Sequence, residues 1–218
     1  MGSVYDHIFL QRAAEIIQDD EAPLQFHFIY TTSNHGPYKM PLKKLGFDAE
    51  KVMKVQDDVL QEKIIPKVLG TYWYSDRAIN QFICDMKKQY SDSLFIVTGD
   101  HGAQCSELQH TSFMKREYTF RELHSPVLMF HHKELSSDAF LGNRIGSHMN
   151  IIPTIFELIA PKGFVYYSMF NSLTEQVKYC VTPYHWVTEK YIGAYGDAYY
   201  QALTAKSGTE RITRKCTS

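Results

Sequence analysis

The sequence predicts an α/β fold with a mostly parallel central sheet flanked by helices. Residues 94–98 are apolar throughout and are bounded by turn residues, as in strands that are buried on both faces. Residues 55–90 carry apolar side chains at helical spacing, and residues 24–31 form an aromatic, partly alternating run that indicates another strand. A strand, a helix and a strand in this order favour parallel pairing through a right-handed crossover.

The remaining elements follow from local pattern and from capping residues. Asn150 stands before an apolar run as a helix N-cap, and Pro153 falls in the first turn of that helix, where a missing N–H is harmless. Pro66 and Gly70 indicate a kink in the long helical region, or a break into two helices. Helices are predicted over residues 5–18, 55–90 and 151–160, and strands over residues 24–31, 94–98, 125–130, 164–168 and 184–188.

Composition narrows the class of protein. The 218 residues suffice for one large or two small domains, and 23 Lys and Arg against 24 Asp and Glu give a net charge of −1, so no broad basic surface for nucleic acid is expected. No apolar run approaches the ~18 residues of a membrane span, and the first residues lack the charged start and apolar core of a signal peptide. No two of the four cysteines stand at C-x-x-C spacing.

The run 94–98 ends in Gly99-Asp100-His101-Gly102, at the carboxyl end of a predicted strand, where open α/β sheets place their ligands. A carboxylate beside an imidazole supplies one hard and one borderline ligand, a natural pair for Zn²⁺ or Mn²⁺. The alternative is a strand-ending turn in which the aspartate caps the turn and the histidine is a surface residue. The four residues alone leave both interpretations open.

Two further histidines are candidates for the same site. His35 lies in a turn-rich loop just after the predicted strand 24–31, so two loops at one edge of a parallel sheet could converge on one ligand. His110 lies in the polar segment that follows the Asp100-His101 pair and could reach back to it. The alternative for both is a solvated surface histidine.

Five spaced segments together carry a resemblance to a known family. They are TTSNHGPY (31–38), YSDRAI (74–79), FIVTGDHG (95–102), SPVLMF (125–130) and SHMNIIPT (147–154). In order and spacing they resemble the carboxyl-terminal half of a sulfatase-type catalytic domain of the alkaline phosphatase superfamily, over roughly residues 5–190. The branch they resemble most contains the bacterial lipoteichoic acid synthase-like and phosphoethanolamine transferase-like enzymes.

This resemblance implies roles for single residues. Asp100 and His101 match two ligands of the catalytic divalent metal, which would be Mn, Zn, Mg or Ca. His35 matches the histidine that contacts the phosphate or sulfate group or its alcohol, and His110 matches a further histidine found in some members. Asn150 stands where the family usually has Asp, and a helix-capping role is expected to survive the change.

The family's nucleophile, a Thr, Ser or modified Cys, lies with the first carboxylate ligands in an amino-terminal half that would precede residue 1. No nucleophile is therefore identified in this chain, and two ligands are too few for a closed catalytic site. We accordingly expect an alkaline phosphatase-like α/β domain over residues 1–200 that is incomplete at its amino-terminal side, followed by a polar, disordered tail over residues 201–218.

The resemblance implies a metal-dependent hydrolase or transferase of phosphate or sulfate esters that is inactive as the isolated chain. The alternatives are a non-catalytic remnant or binding module with a weak metal or anion site, and an α/β domain whose Asp-His turn is structural. The expected partners are a lipid- or glycan-linked ester, and a missing amino-terminal half or a second copy of the chain. By resemblance, the expected location is the extracytoplasmic face of a bacterial membrane, in the periplasm or cell envelope.

Overall fold

A computed structural model describes most of the chain, as two compact units, Met1–Lys133 and Glu134–Ser218. The described residues are 4–53, 64–102, 126–140, 145–182, 185–195, 199–202 and 211–213. No helix among them has the length and hydropathy needed to span a bilayer.

The described part of the first unit consists of helices and a short two-stranded sheet. In chain order its elements are α1 (Asp6–Gln18), α2 (Ala49–Met53), α3 (Ile64–Gln89), β1 (Phe95–Thr98) and β2 (Leu128–His131). Helix α1 packs along α3. Strands β1 and β2 pair antiparallel, with Phe95 opposite His131 and Thr98 opposite Leu128.

Helix α3 contributes most to the core of this unit. Its buried side chains recur every three or four residues and therefore lie on one face of the helix. Ile65 and Val68 are fully buried there. The predicted break into two helices is wrong within the described residues, since α3 runs without interruption from Ile64 through Gly70 to Gln89. Pro66 is tolerated because it lies in the first turn, where its missing N–H leaves no hydrogen bond unmade.

Gly70 is required by close packing rather than by a bend in the helix. A Cβ atom at this position would lie 2.5 Å from Cδ1 of Leu42 and 2.9 Å from Cε1 of Phe47. Leu42 and Phe47 form a buried cluster with Tyr74, and Trp73 packs against Phe47 with a ring separation of 5.3 Å. The segment that follows the His35 loop is thus held against α3.

The mixed helix and sheet content agrees with the predicted α/β class, but every described strand pair is antiparallel. The mostly parallel sheet expected from the sequence is therefore absent from the described residues. Segment 24–31 is not assigned as a strand, and its described link to the end of β1 is a side-chain hydrogen bond. β1 instead has β2 as its neighbour, and its side chains are only half-buried.

In segment 24–31 large apolar side chains occur at every second residue, as in a strand, although the segment is not assigned as one. Its alternate apolar side chains are exposed, with values of 80% for Leu24 and 84% for Phe28. We call this set the exposed stripe; its members are Leu24, Phe26, Phe28 and Tyr30. Contiguous apolar surface of this kind marks contact sites or association-prone edges.

The described part of the second unit carries one short α-helix and an antiparallel meander. It begins with a 3-10 turn (Ser137–Phe140). Helix α4 (Ile151–Ile159) follows, directly preceded by a second 3-10 turn (His148–Asn150), and then come five strands: β3 (Tyr179–Val181), β4 (His185–Thr188), β5 (Tyr191–Ala194), β6 (Tyr199–Ala202) and β7 (Arg211–Thr213). Strand β4 confirms the strand predicted over 184–188, whereas 164–168 contains no assigned strand. The ring of Trp186 lies over Gly193 of β5, where an added Cβ would sit 2.7 Å from the indole.

Candidate metal and substrate site

The Asp100-His101 turn is fixed by the strand pair from which it emerges. The hydroxyl of Thr98 donates to the carbonyl oxygen of Val127 at 2.8 Å, and the Gly99 N–H donates to the same oxygen at 3.3 Å. These bonds continue the β1–β2 pairing by one residue beyond the strand. They present Asp100 and His101 at the end of β1, as the sequence predicted.

The two side chains direct lone-pair atoms toward one another. Oδ1 of Asp100 accepts the N–H of His101 at 3.0 Å, which orients the carboxylate. Its Oδ2 lies 3.6 Å from Nε2 of His101, and both side chains are about half exposed. Two ligands bound to one ion at about 2.1 Å each lie roughly 3.0–3.6 Å apart, so the pair fits a shared ion.

The tautomer of His101 also suits metal binding. Its Nδ1 lies 2.8 Å from the carbonyl oxygen of Gly102. A carbonyl oxygen can only accept, so Nδ1 carries a proton, and in the neutral form of the ring Nε2 keeps its lone pair. Histidine ligands in metalloproteins are oriented by this kind of bond from the second ring nitrogen.

Tyr30 supplies a third group to this site. Its hydroxyl donates to Oδ2 of Asp100 at 2.9 Å. Partial burial acts to raise the pKa of Asp100, but the Tyr30 hydrogen bond, the nearby His101 ring and two backbone amides outweigh it and place that pKa below its ordinary value. The same hydrogen bond and the charge of Asp100 raise the pKa of Tyr30, so the phenol keeps its proton at neutral pH.

The described residues bring two candidate metal ligands, Asp100 and His101, together at this place. No group of three or more His, Cys, Asp or Glu side chains that could hold an ion occurs among them. Asp100 and His101 fit a divalent ion by chemistry and spacing, and the ion would take its other ligands from water, substrate or residues outside the described ranges.

His35 lies in a loop that starts at this site and is firmly attached to the helices. The Tyr30–Asp100 bond brings the start of the loop to the end of β1. The ring of His35 is exposed, and its Nδ1 lies 2.8 Å from the carbonyl oxygen of Gly36. Within the described part of the chain Nε2 has no hydrogen-bond partner, so it is the ring nitrogen available to a ligand.

Two other sequence candidates have different outcomes. His110 lies outside the described residues, so its predicted role stays a prediction. Asn150 is buried in the second unit and is the N-cap residue of α4, as predicted, although its side chain makes no capping hydrogen bond to that helix. Its Oδ1 instead accepts the N–H of Ser147 at 2.8 Å, which closes a capping box on the 3-10 turn before α4, and its Nδ2 donates to the carbonyl oxygen of Asn171.

Two residues near the site were missed by the sequence interpretation. Tyr30 was counted only as one aromatic residue of a strand, although a polar-tipped ring at the end of an apolar run is a recognisable signal. Asp6 was counted as part of the first helix, yet its side chain is buried and bonds to the His35 loop. Its acidic side chain among apolar helical residues was the available signal.

Comparison with known families gives one match. A family model described as Sulfatase matches residues 2–160, well over half of the chain and including His35, Asp100 and His101. No curated protein and no solved structure matches the chain. The sulfatase domain is an α/β fold whose members act on sulfate or phosphate esters, generally with a divalent metal, and this confirms the predicted fold class. The chain therefore belongs to the sulfatase family.

Proposed function

We propose that this chain forms part of a metal-dependent hydrolase or transferase of sulfate or phosphate esters. In this proposal Asp100 and His101 supply two metal ligands, and His35 contacts the ester group. The observation that carries the proposal is the convergence of Asp100 Oδ2 and His101 Nε2 at 3.6 Å, with Nδ1 of His101 tied to a carbonyl oxygen.

Each of these residues has a definable part in such chemistry. When bound, a divalent ion neutralises charge on the ester oxygens and lowers the pKa of an attacking hydroxyl. Asp100 is held in a ligand-ready orientation by Tyr30 and by the His101 amide. His35, through Nε2, offers a hydrogen bond to a non-bridging ester oxygen or to the alcohol that leaves.

The branch of the family and the kind of substrate are inferred from the resemblance of the five segments to known enzymes. We propose a lipoteichoic acid synthase-like or phosphoethanolamine transferase-like member that acts on a lipid- or glycan-linked ester at the extracytoplasmic face of a bacterial membrane. The described residues identify no nucleophile, so we expect the isolated chain to bind metal and anion but not to turn over esters unless a further polypeptide segment completes the site.

The second candidate is a non-catalytic binding module with a weak metal or anion site. The observation that favours it is the two-ligand centre, which has no third His, Cys, Asp or Glu nearby among the described residues. The two candidates predict the same metal binding, and only the enzyme predicts ester turnover once its site is complete.

Mn²⁺ titration by calorimetry tests the metal ligands directly. Asp100→Ala and His101→Ala should each weaken Mn²⁺ binding by more than about tenfold, because loss of a direct ligand costs at least as much as loss of an outer-shell partner. Asp92→Ala is a matched control, since Asp92 is also paired with a histidine, His132, at 3.5 Å but lies exposed beside Lys133. Unchanged Mn²⁺ affinity in Asp100→Ala would show that this turn is not a metal site.

Ester turnover separates the two candidates. p-Nitrophenyl sulfate and p-nitrophenyl phosphate are assayed with Mn²⁺ for the wild-type chain and for His101→Ala. Turnover that disappears in His101→Ala supports the enzyme, whereas metal binding without turnover is expected of the isolated chain under both candidates. Turnover that survives His101→Ala would refute the mechanism.

A further inference from the structure

We infer that Asp6 is the positioning residue for His35: it fixes the loop backbone from the start of α1 and thereby sets where the His35 ring can meet an anion. This inference rests on the proposed role of His35 as the group that contacts the sulfate or phosphate ester. It assigns to the first turn of α1 a part in substrate binding.

Asp6 binds the loop through a set of buried hydrogen bonds. Its side chain is 1% exposed. Oδ1 accepts the backbone N–H groups of Thr32 and Ser33, both at 3.1 Å, and Oδ2 lies 3.4 Å from the hydroxyl of Ser75 on α3. One carboxyl group therefore holds two consecutive amides of the loop.

The bond pattern is reciprocal, so the helix start and the loop fix each other. The N-cap residue of α1, Tyr5, makes no side-chain cap bond. The N–H of Asp6 instead donates to Oγ of Ser33 at 2.9 Å, and Ser33 lies 27 residues further along the chain. Two backbone N–H groups of the loop and one of the helix are thus satisfied by this pair of side chains.

A buried carboxyl group is a costly way to hold a loop unless its hydrogen bonds offset the loss of water. No Lys or Arg of the described residues forms an ion pair with Asp6. Its stabilisation therefore comes from the loop amides and a hydroxyl, which makes the carboxyl group specific for this loop conformation.

A second contact fixes the next residue. Oγ1 of Thr71, which is fully buried on α3, lies 2.8 Å from Oδ1 of Asn34 and 2.7 Å from the carbonyl oxygen of Val68, and shares its one proton between them. The two residues before His35 are thus bound to α1 and α3, respectively. The His35 ring adds its own bond to Gly36, which leaves Nε2 at a defined place.

The inference predicts a selective effect. Loss of the Asp6 side chain should move His35 and weaken anion binding, because a hydrogen bond to a charged group is worth roughly tenfold or more in affinity. The metal ligands should be spared, since Asp100 and His101 are held by β1, Val127 and Tyr30.

The test compares Asp6→Ala with the conservative Asp6→Asn by NMR on the whole chain, with inorganic sulfate as the probe. Two signals are followed: the His35 ring proton, assigned with His35→Ala, and hydrogen exchange of the Thr32 and Ser33 amides. In Asp6→Ala the His35 signal should shift, the two amides should exchange faster, and sulfate affinity should fall roughly tenfold. Asp6→Asn should stay within about threefold of wild type, because its amide oxygen accepts the same two N–H groups.

Two further variants protect the test from a folding defect. Thr71→Val removes the contact to Asn34 without changing volume, and should also shift the His35 signal and weaken sulfate binding. Asp20→Ala is the matched control, since Asp20 accepts a backbone N–H from Ala22 at 2.9 Å but is exposed. It should leave both signals and sulfate affinity unchanged, and Mn²⁺ affinity should match wild type in every folded variant.

The outcomes distinguish the inference from the proposed function. If the His35 signal and the two amides are unchanged in Asp6→Ala and Thr71→Val, or if Asp6→Asn is as defective as Asp6→Ala, the positioning role of Asp6 is refuted. If those signals respond as expected but sulfate does not perturb His35 in the wild-type chain, the proposed role of His35 fails while Asp6 remains the residue that fixes its loop.

Discussion

Thr154 offers the sharpest stability test in the second unit, because one buried hydroxyl makes two hydrogen bonds. Thr154 is fully buried in α4. Its Oγ1 donates to the carbonyl oxygen of Asn150 at 2.6 Å and accepts the N–H of Leu173 at 2.9 Å. Thr154→Val keeps the volume and the branched shape but removes both bonds, and Thr154→Ser keeps the hydroxyl but removes a methyl group.

The magnitude follows from these contacts. Each hydrogen bond contributes about 1 kcal/mol net, and burial of a group that loses its partner adds about 1–3 kcal/mol. Threonine and valine have similar helix propensities, so Thr154→Val should lower the free energy of unfolding by about 3 kcal/mol. Thr154→Ser loses one buried methyl and should cost about 1 kcal/mol.

Urea unfolding followed by far-UV circular dichroism measures both variants, and hydrogen exchange of the Leu173 amide locates the effect. That amide should exchange faster in Thr154→Val than in wild type and stay protected in Thr154→Ser. A valine variant as stable as wild type, or more stable than the serine variant, would refute the assignment of stability to these two hydrogen bonds.

Three further predictions concern packing, thiol reactivity and association. Gly70→Ala should lower the free energy of unfolding by about 1–2 kcal/mol. Overpacking against Leu42 costs about 1–3 kcal/mol, and a gain in helix propensity of up to about 1 kcal/mol offsets this cost only in part. Thermal melting measures the change, and a rise in Tm would contradict the prediction. Burial raises the pKa of the Cys180 thiol to about 11, whereas Cys84 is exposed. After alkylation at pH 8, mass spectrometry should therefore find Cys84 modified and Cys180 unmodified, and Cys180 should react only when urea is added. The exposed stripe should drive self-association, so Phe28→Ser should lower the sedimentation coefficient at high concentration, and a wild-type chain that stays monomeric there would disprove this role.

Acidification tests the Asp100 carboxylate. Its pKa in the folded chain is lowered, so the folded state binds this proton more weakly than the unfolded state does. The contribution of this carboxylate to the free energy of unfolding is therefore fully present above the ordinary Asp pKa of about 3.9. It is lost as the pH falls through the lower pKa of the folded state. The carboxylate signal of Asp100 in an NMR titration should accordingly change with a midpoint below the ordinary Asp value, and a midpoint above that value would contradict the assigned contacts.

Local pattern predicted the elements whose structure depends on nearby residues. The helix predicted over 5–18 is α1, the helix over 151–160 is α4, and the strand over 94–98 is β1. In each case a side-chain period or a capping residue lies within the element itself. The position of the Asp100-His101 turn could be predicted for the same reason, since it follows directly from the end of β1.

Pairing and long-range polar contacts could not be predicted in this way. The alternation in 24–31 identifies an extended segment, but it does not say which strand would lie beside it, and none does among the described residues. The Tyr30–Asp100 bond spans 70 residues and the Asp6–Ser33 bond spans 27. Such contacts arise only after helices and loops have packed, so no local signal specifies the partner.

The aromatic packing of the two units has a practical optical consequence. The chain has two tryptophans, and they lie in different units: Trp73 beside Phe47 in the first, and Trp186 over Gly193 in the second. Each unit therefore contains one tryptophan, which can be excited selectively at the long-wavelength edge of its absorption and whose emission shifts to the red on exposure to water. In the Trp73→Phe and Trp186→Phe backgrounds the melting of each unit can be recorded separately, and a difference between the two midpoints would show that the units unfold independently.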